Sequence, residues 1–138
     1  MTDLAEIMQK TIKSIAADQA IVNAARRMRD ERIGSLLVEE NDDYVGILTE
    51  TDIVRKAAAE GKDLSTLSVK KLMTQPLVSI ESTKTIRDAN EMMGTWGIRH
   101  LVVCEAGKVV GMVSIRDILR YFKSFSEPVY SEPNITQD

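Results

Sequence analysis

Two segments carry residue types that packing alone does not ask for. Gly46-Ile47-Leu48-Thr49-Glu50-Thr51-Asp52-Ile53-Val54 and Gly111-Met112-Val113-Ser114-Ile115-Arg116-Asp117-Ile118-Leu119 follow one pattern: glycine, two apolar residues, a hydroxyl residue, two variable positions, aspartate, two apolar residues. Each reads as a strand running into a helix, with Thr49 or Ser114 at the junction. A capping box accounts for the hydroxyl and the acid. Thr49 or Ser114 accepts from a first-turn amide, and Asp52 or Asp117, three residues on, reaches back to the cap amide. A ligand site accounts for the same residues. Spare amides at the positive end of a helix attract a phosphate, and a carboxylate one turn in can accept from the two adjacent hydroxyls of a ribose. A glycine at the strand end lets another group approach the backbone closely. The two readings are compatible, because a cap residue can also serve a ligand.

The elements that must position these residues follow from an internal repeat. Residues 7–56 lie on residues 72–121 at a constant offset of 65 without a gap, and fifteen of those fifty positions are identical. In each copy a strand (Ile12–Ile15, Leu77–Ile80) precedes an amphipathic helix whose apolar stripe is Ile21, Ala24, Ala25, Met28 in the first copy, and Ile86, Ala89, Asn90, Met93 repeat it. Asp18 and Thr83 are the expected N-caps. A hairpin follows, with strands Ile33–Val38 and Tyr44–Leu48 around Asn41-Asp42-Asp43, and Ile98–Val103 and Val109–Val113 around Ala106-Gly107-Lys108. A second helix starts near Thr51 and Arg116, the first of these ending at Gly61. The unit is strand, helix, strand, strand, helix. The expected organisation is an α+β fold with a first unit at 1–60, a connector at 61–71, a second unit at 72–123 and an extended tail at 124–138. Neither copy could bury its sheet alone, so the two are expected to pack as one module.

Composition narrows the function classes. Eighteen basic and 21 acidic side chains give a net charge of −3, and no basic block exceeds two residues, which argues against a general binder of nucleic acid or anionic membrane. No apolar run approaches the ~20 residues of a membrane span, and the opening MTDLAEIMQK has no signal-peptide core, so a cytoplasmic protein is expected. One cysteine and one histidine exclude a disulfide within the chain and a His/Cys zinc site, so no metal is expected. Cys104 reads as packing, and Asn134-Ile135-Thr136 as a chance sequon. No Ser/His/Asp or Cys/His set is apparent, and an enzyme is not expected.

The duplicated glycine–hydroxyl–aspartate motif, preceded by the apolar strand Ile98-Arg99-His100-Leu101-Val102-Val103, resembles a tandem pair of CBS domains, the Bateman module. The likeness covers residues 7–123 and extends to the openings Ile7-Met8 with Thr11 and Leu72-Met73 with Pro76. It implies two pseudo-twofold related units whose sheets meet and leave two clefts for adenosine-containing ligands, with two modules forming a disc-shaped homodimer. Carried over, Asp52 and Asp117 hold ribose hydroxyls, and Thr49 and Ser114 a phosphate. Backbone near Thr11 and Lys13, or near Pro76 and Val78, lines the adenine edge. Arg99 and His100, which correspond to Gly34 and Ser35, are expected to reach phosphates in the Asp52 cleft, leaving the Asp117 cleft uncharged. On this resemblance the chain is a regulatory module that takes AMP, ADP or ATP as its ligand, needs no cofactor, and acts on a target protein that the sequence does not identify. The alternatives are a dimeric scaffold with vestigial clefts, a sensor of S-adenosylmethionine or another adenosyl compound, an enzyme acting on a bound nucleotide, and a single-stranded RNA binder. The homodimer is also expected from Ala24, Met28, Ala89 and Met93, apolar residues that one thin pair of small sheets cannot all cover without a second copy.

Overall fold

The computed structural model describes residues 2–125, so the sequon and most of the expected tail lie outside the described residues. Strands β1 (Ser14–Ala16), β2 (Ser35–Glu40) and β3 (Asp43–Thr49) form one sheet in that order, and β4 (Ser79–Glu81), β5 (His100–Glu105) and β6 (Lys108–Ser114) form the other. In each sheet the outer short strand is parallel to the middle one and the hairpin is antiparallel. Helix α1 (Ile21–Glu31) packs on the first sheet and α4 (Ile86–Trp96) on the second. A short α2 (Glu50–Asp52) continues into a π-helical turn at Ile53–Ala58. Helix α3 is Val69–Leu72, and α5 (Ile115–Lys123) closes the second copy.

The hairpins turn where their sequences allow positive φ at both central residues: Asn41 (54°) and Asp42 (64°), Ala106 (50°) and Gly107 (77°). Beyond each turn the register shifts by one residue, so that Val45 and Val110 lie in bulges just before Gly46 and Gly111.

The two glycines serve the crossing of the chain. A Cβ on Gly46 would lie 2.7 Å from Met73 Sδ and 2.9 Å from the Thr74 carbonyl, and one on Gly111 would lie 2.7 Å from Met8 Sδ and 2.8 Å from the Gln9 carbonyl. Backbone atoms cannot yield that much without shifting the strand. The close group allowed by each glycine is therefore the opening segment of the other repeat. Gln9 exchanges two backbone hydrogen bonds with Met112 on β6, and Thr74 exchanges two with Ile47 on β3. Leu4, Ile7 and Met8 accordingly join the second core with Ile80, Ile86 and Leu101, while Val69, Leu72 and Met73 join the first. The repeats exchange their openings, which ties the two halves together.

The same exchange corrects the expected helix caps. The N-cap of α1 is Ala20, not Asp18, and its side chain caps nothing. The amides of Ile21 and Val22 donate instead to the carbonyls of Leu67 and Leu64 in the connector, at 2.8 and 2.9 Å. In α4 the cap is Thr85, two residues beyond Thr83, in a capping box with Asp88. The apolar stripes also differ from expectation in their cover. Ala24, Met28, Ala89 and Met93 are all buried within one chain, so they require no second copy.

Candidate ligand site

Both Asp motifs fold as capping boxes. Asp117 Oδ2 accepts from the Ser114 amide at 2.8 Å, and Ser114 Oγ accepts from the Asp117 amide at 3.1 Å. Asp52 and Thr49 make the same pair at 3.0 and 3.2 Å. Each box occupies one carboxylate oxygen, and the surroundings of the other oxygen distinguish the two copies.

Around Asp52 the second oxygen is closed off. Oδ1 accepts from Thr74 Oγ1 at 3.0 Å and pairs with Lys56 Nζ at 2.9 Å. Lys56 also donates to Thr74 Oγ1 and to the Leu72 carbonyl. The carboxylate, 5% exposed, thus clasps the π-helical turn to the opening of the second repeat. Asp117 Oδ1 is held more lightly, by Gln9 Nε2 at 3.1 Å and by Arg120 Nη1 at 3.6 Å. Lys56 has Tyr121 as its counterpart at the offset of 65.

Asp117 borders a cleft of about 400 Å³ between the two copies, lined by Thr11, Lys13, Arg32, Gly34, Ser35 and Glu50 from the first and by Arg99, His100, Ser114, Arg116 and Arg120 from the second. Thr11 and Lys13 line this cleft, with Lys13 Nζ paired to Glu31 at 2.9 Å. Val78 instead packs against the second core, its carbonyl accepting from the Val102 amide. Arg99 and His100 are a correction: they line the cleft of Asp117 rather than serving Asp52. Hairpin register decides this, because His100 pairs directly with Ser114 and the Arg99 carbonyl accepts from the Ile115 amide. Gly34 and Ser35 arrive at the same cleft from the other sheet. With Gly34 lacking a Cβ, Glu50 Oε1 occupies the space it would fill.

The cleft is basic in an acidic protein. Lys13, Arg32, Arg99, Arg116 and Arg120 face Glu50 and Asp117, a surplus of three positive charges before His100 is counted, while the whole chain carries −3. The offset places Val78, Gly97, Gly34 and Thr51 at the positions equivalent to Lys13, Arg32, Arg99 and Arg116. Gln9, Arg32, Arg116 and Arg120 were not singled out by motif. Comparing the copies position by position carries the signal for Arg32 and Arg116, and the adjacent h-M opening carries it for Gln9.

Burial pushes the His100 imidazole down from its ordinary value, and Arg116 and Arg99 act in the same direction, while Asp117 opposes them. The depressed value makes the unfolded chain the better proton binder just below pH ~6.5. Folding stability is thus expected to fall as pH drops through that range, by at most about 1.4 kcal/mol per pH unit for this one group, and His100→Gln should flatten the slope. Urea titrations at pH 7.5, 6.5 and 5.5 on both proteins measure it, and equal slopes would remove His100 from the account. Burial also pushes the Cys104 thiol up, which suits the packing role.

The CBS-domain family profile matches residues 4–59 and again 69–124. The chain belongs to the CBS-domain family. It is 32% identical over 117 residues to the uncharacterized protein MK0525 of Methanopyrus kandleri, covering 83% of this chain and 60% of that protein, so the chain spans less than two thirds of that relative. A CBS-domain structure from Burkholderia ambifaria superposes with a TM-score of 0.89 at 27% identity, covering 94% of this chain and all of that one. The hexameric CBS-CP12 protein from bloom-forming cyanobacteria superposes with a TM-score of 0.81 at 27% identity, over 94% of this chain and 78% of that one. Tandem CBS domains are in general regulatory, ligand-binding modules, and the two copies here form such a pair. Among the described residues of the CBS pair, no helix is long and apolar enough to cross a membrane, and no three His, Cys, Asp or Glu residues are grouped to hold a metal ion.

Proposed function

We propose that this CBS pair is a regulatory module that binds an adenine nucleotide in the Asp117 cleft and passes its occupancy to a partner protein. The surplus of cations around Asp117 carries the reading. Such a surplus, gathered from both copies around one cleft, favours an anionic ligand, while Asp117 Oδ1 is placed to accept from a ribose hydroxyl once Gln9 gives way. S-adenosylmethionine, which brings a sulfonium cation and no phosphate, fits that field poorly. Asp52, clasped by Lys56 and Thr74, serves the fold in this reading, so one ligand is bound per chain.

The module acts as a homodimer in the same reading. The support is the apolar surface at Val54 (60% exposed), Trp96 (65%), Leu119 (63%) and Phe125 (74%), which a second copy would cover.

Calorimetric titration with ATP, AMP, adenosine and S-adenosylmethionine tests the ligand. ATP and AMP are expected to bind with one site per chain and tighter than the other two, and ATP at roughly 100 times Kd should raise stability by about 2.7 kcal/mol. Binding of none of the four favours the scaffold with vestigial clefts, and two equal sites per chain would return Asp52 to the ligand.

A further inference from the structure

Helix α1 ends on Arg32, which adopts the left-handed conformation (φ 56°, ψ 45°) and donates its amide to the Met28 carbonyl. Helix α4 ends in the same way on Gly97 (φ 64°, ψ 35°), whose amide donates to the Met93 carbonyl. The two residues are equivalent at the offset of 65, so one chain solves one backbone problem twice. Glycine is the unstrained solution at such a C-cap, whereas an arginine there sets its Cβ against the following carbonyl. Nothing about the helix end requires the larger residue. A Cβ added to Gly97 would meet nothing within 4 Å, so the position is open in the second copy as well.

What Arg32 has that Gly97 lacks is a cationic side chain lining the Asp117 cleft. Among the described residues Arg32 makes no ion pair, whereas Lys13 is paired with Glu31 and Arg120 lies near Asp117. It stands at the first-copy wall of the cleft, and Arg99 and Arg116 come from the second copy. The arginines of the second copy stand beside the start of α5, Arg116 within its first turn and Arg99 through its carbonyl on the Ile115 amide. A cation on the opposite wall adds attraction for charge further along a phosphate chain.

We propose that Arg32 is a specificity residue that selects ligands carrying two or three linked phosphates, and that its strained backbone is kept for that side chain. This rests on the reading of the Asp117 cleft as a nucleotide site. The test is calorimetric titration of wild type, Arg32→Gly and Arg32→Asn with ATP, AMP, adenosine and inorganic tripolyphosphate, with melting temperatures recorded in parallel. Arg32→Gly is expected to melt higher than wild type, to bind ATP and tripolyphosphate about tenfold more weakly, and to bind AMP and adenosine within about twofold of wild type. Arg32→Asn, neutral but tolerant of the left-handed conformation, should match Arg32→Gly in affinity. Unchanged affinity for ATP and tripolyphosphate in both variants would overturn the proposal and leave Arg32 a helix cap, as would an equal loss for AMP and ATP. If wild type binds tripolyphosphate in an Arg32-dependent way but distinguishes neither ATP from it nor adenosine from buffer, the selection by Arg32 stands and the nucleotide reading falls. If wild type binds neither ATP nor tripolyphosphate, both fall.

Discussion

Asp117→Ala is expected to weaken ATP and AMP by about one to two decades. A hydrogen bond to a charged acceptor contributes roughly 1.5–3 kcal/mol, and each 1.4 kcal/mol is tenfold. The expectation follows from the division of labour within the carboxylate. Oδ2 is committed to the Ser114 amide, while Oδ1 is held by a glutamine at 3.1 Å and an arginine at 3.6 Å, contacts that a ribose diol can replace. Loss of the capping box also costs stability, about 1 kcal/mol for a helix cap. Calorimetry at a temperature well below the melting transition separates the two effects. Ser114→Ala provides the comparison, since it removes one half of the same box and keeps the carboxylate. A variant that melts lower yet binds ATP as tightly as wild type would leave Asp117 a cap and nothing more.

Asp52→Ala is expected to act on the fold instead, lowering stability by about 3 kcal/mol and the melting temperature by roughly 10 °C. The side chain is 5% exposed and accepts from the Thr49 amide, Thr74 Oγ1 and Lys56 Nζ, so its removal leaves three donors short of an acceptor where the first sheet meets the opening of the second repeat. The half-exposed ammonium recovers part of its solvation, which keeps the figure below that of a fully buried pair. Affinity for ATP should change by less than about threefold, because the Asp117 cleft does not include Asp52. Urea denaturation with titration calorimetry on the same variant decides it. A ten-fold loss of affinity with unchanged stability would mean that Asp52, not Asp117, holds the ribose. Asp52→Asn, whose oxygen can still accept from the Thr49 amide while its NH2 donates to Thr74 Oγ1, should recover part of the stability.

The strand, helix, strand, strand, helix order of each unit, the duplication, both Asp motifs and their capping boxes were legible in the amino-acid sequence, whereas helix α3 at Val69–Leu72, in what reads as connector, was not. Thr49 with Asp52 and Ser114 with Asp117 pair over three residues, and the turns at Asn41-Asp42 and Ala106-Gly107 need only local positive φ. What depended on contacts between distant segments was decided by the tertiary structure alone. Leu64 and Leu67 cap α1 in place of Asp18, and Met8 and Met73 explain the glycines of the opposite repeats. Lys56 and Thr74 close the Asp52 side, and Arg99 and His100 turn to Asp117 because β5 lies against β6 in that register. A repeat in sequence tells which residues are equivalent and is silent on which copy each one faces. That choice is made when the chain crosses over, and it places the cations of both copies around one aspartate and leaves the other to hold the fold.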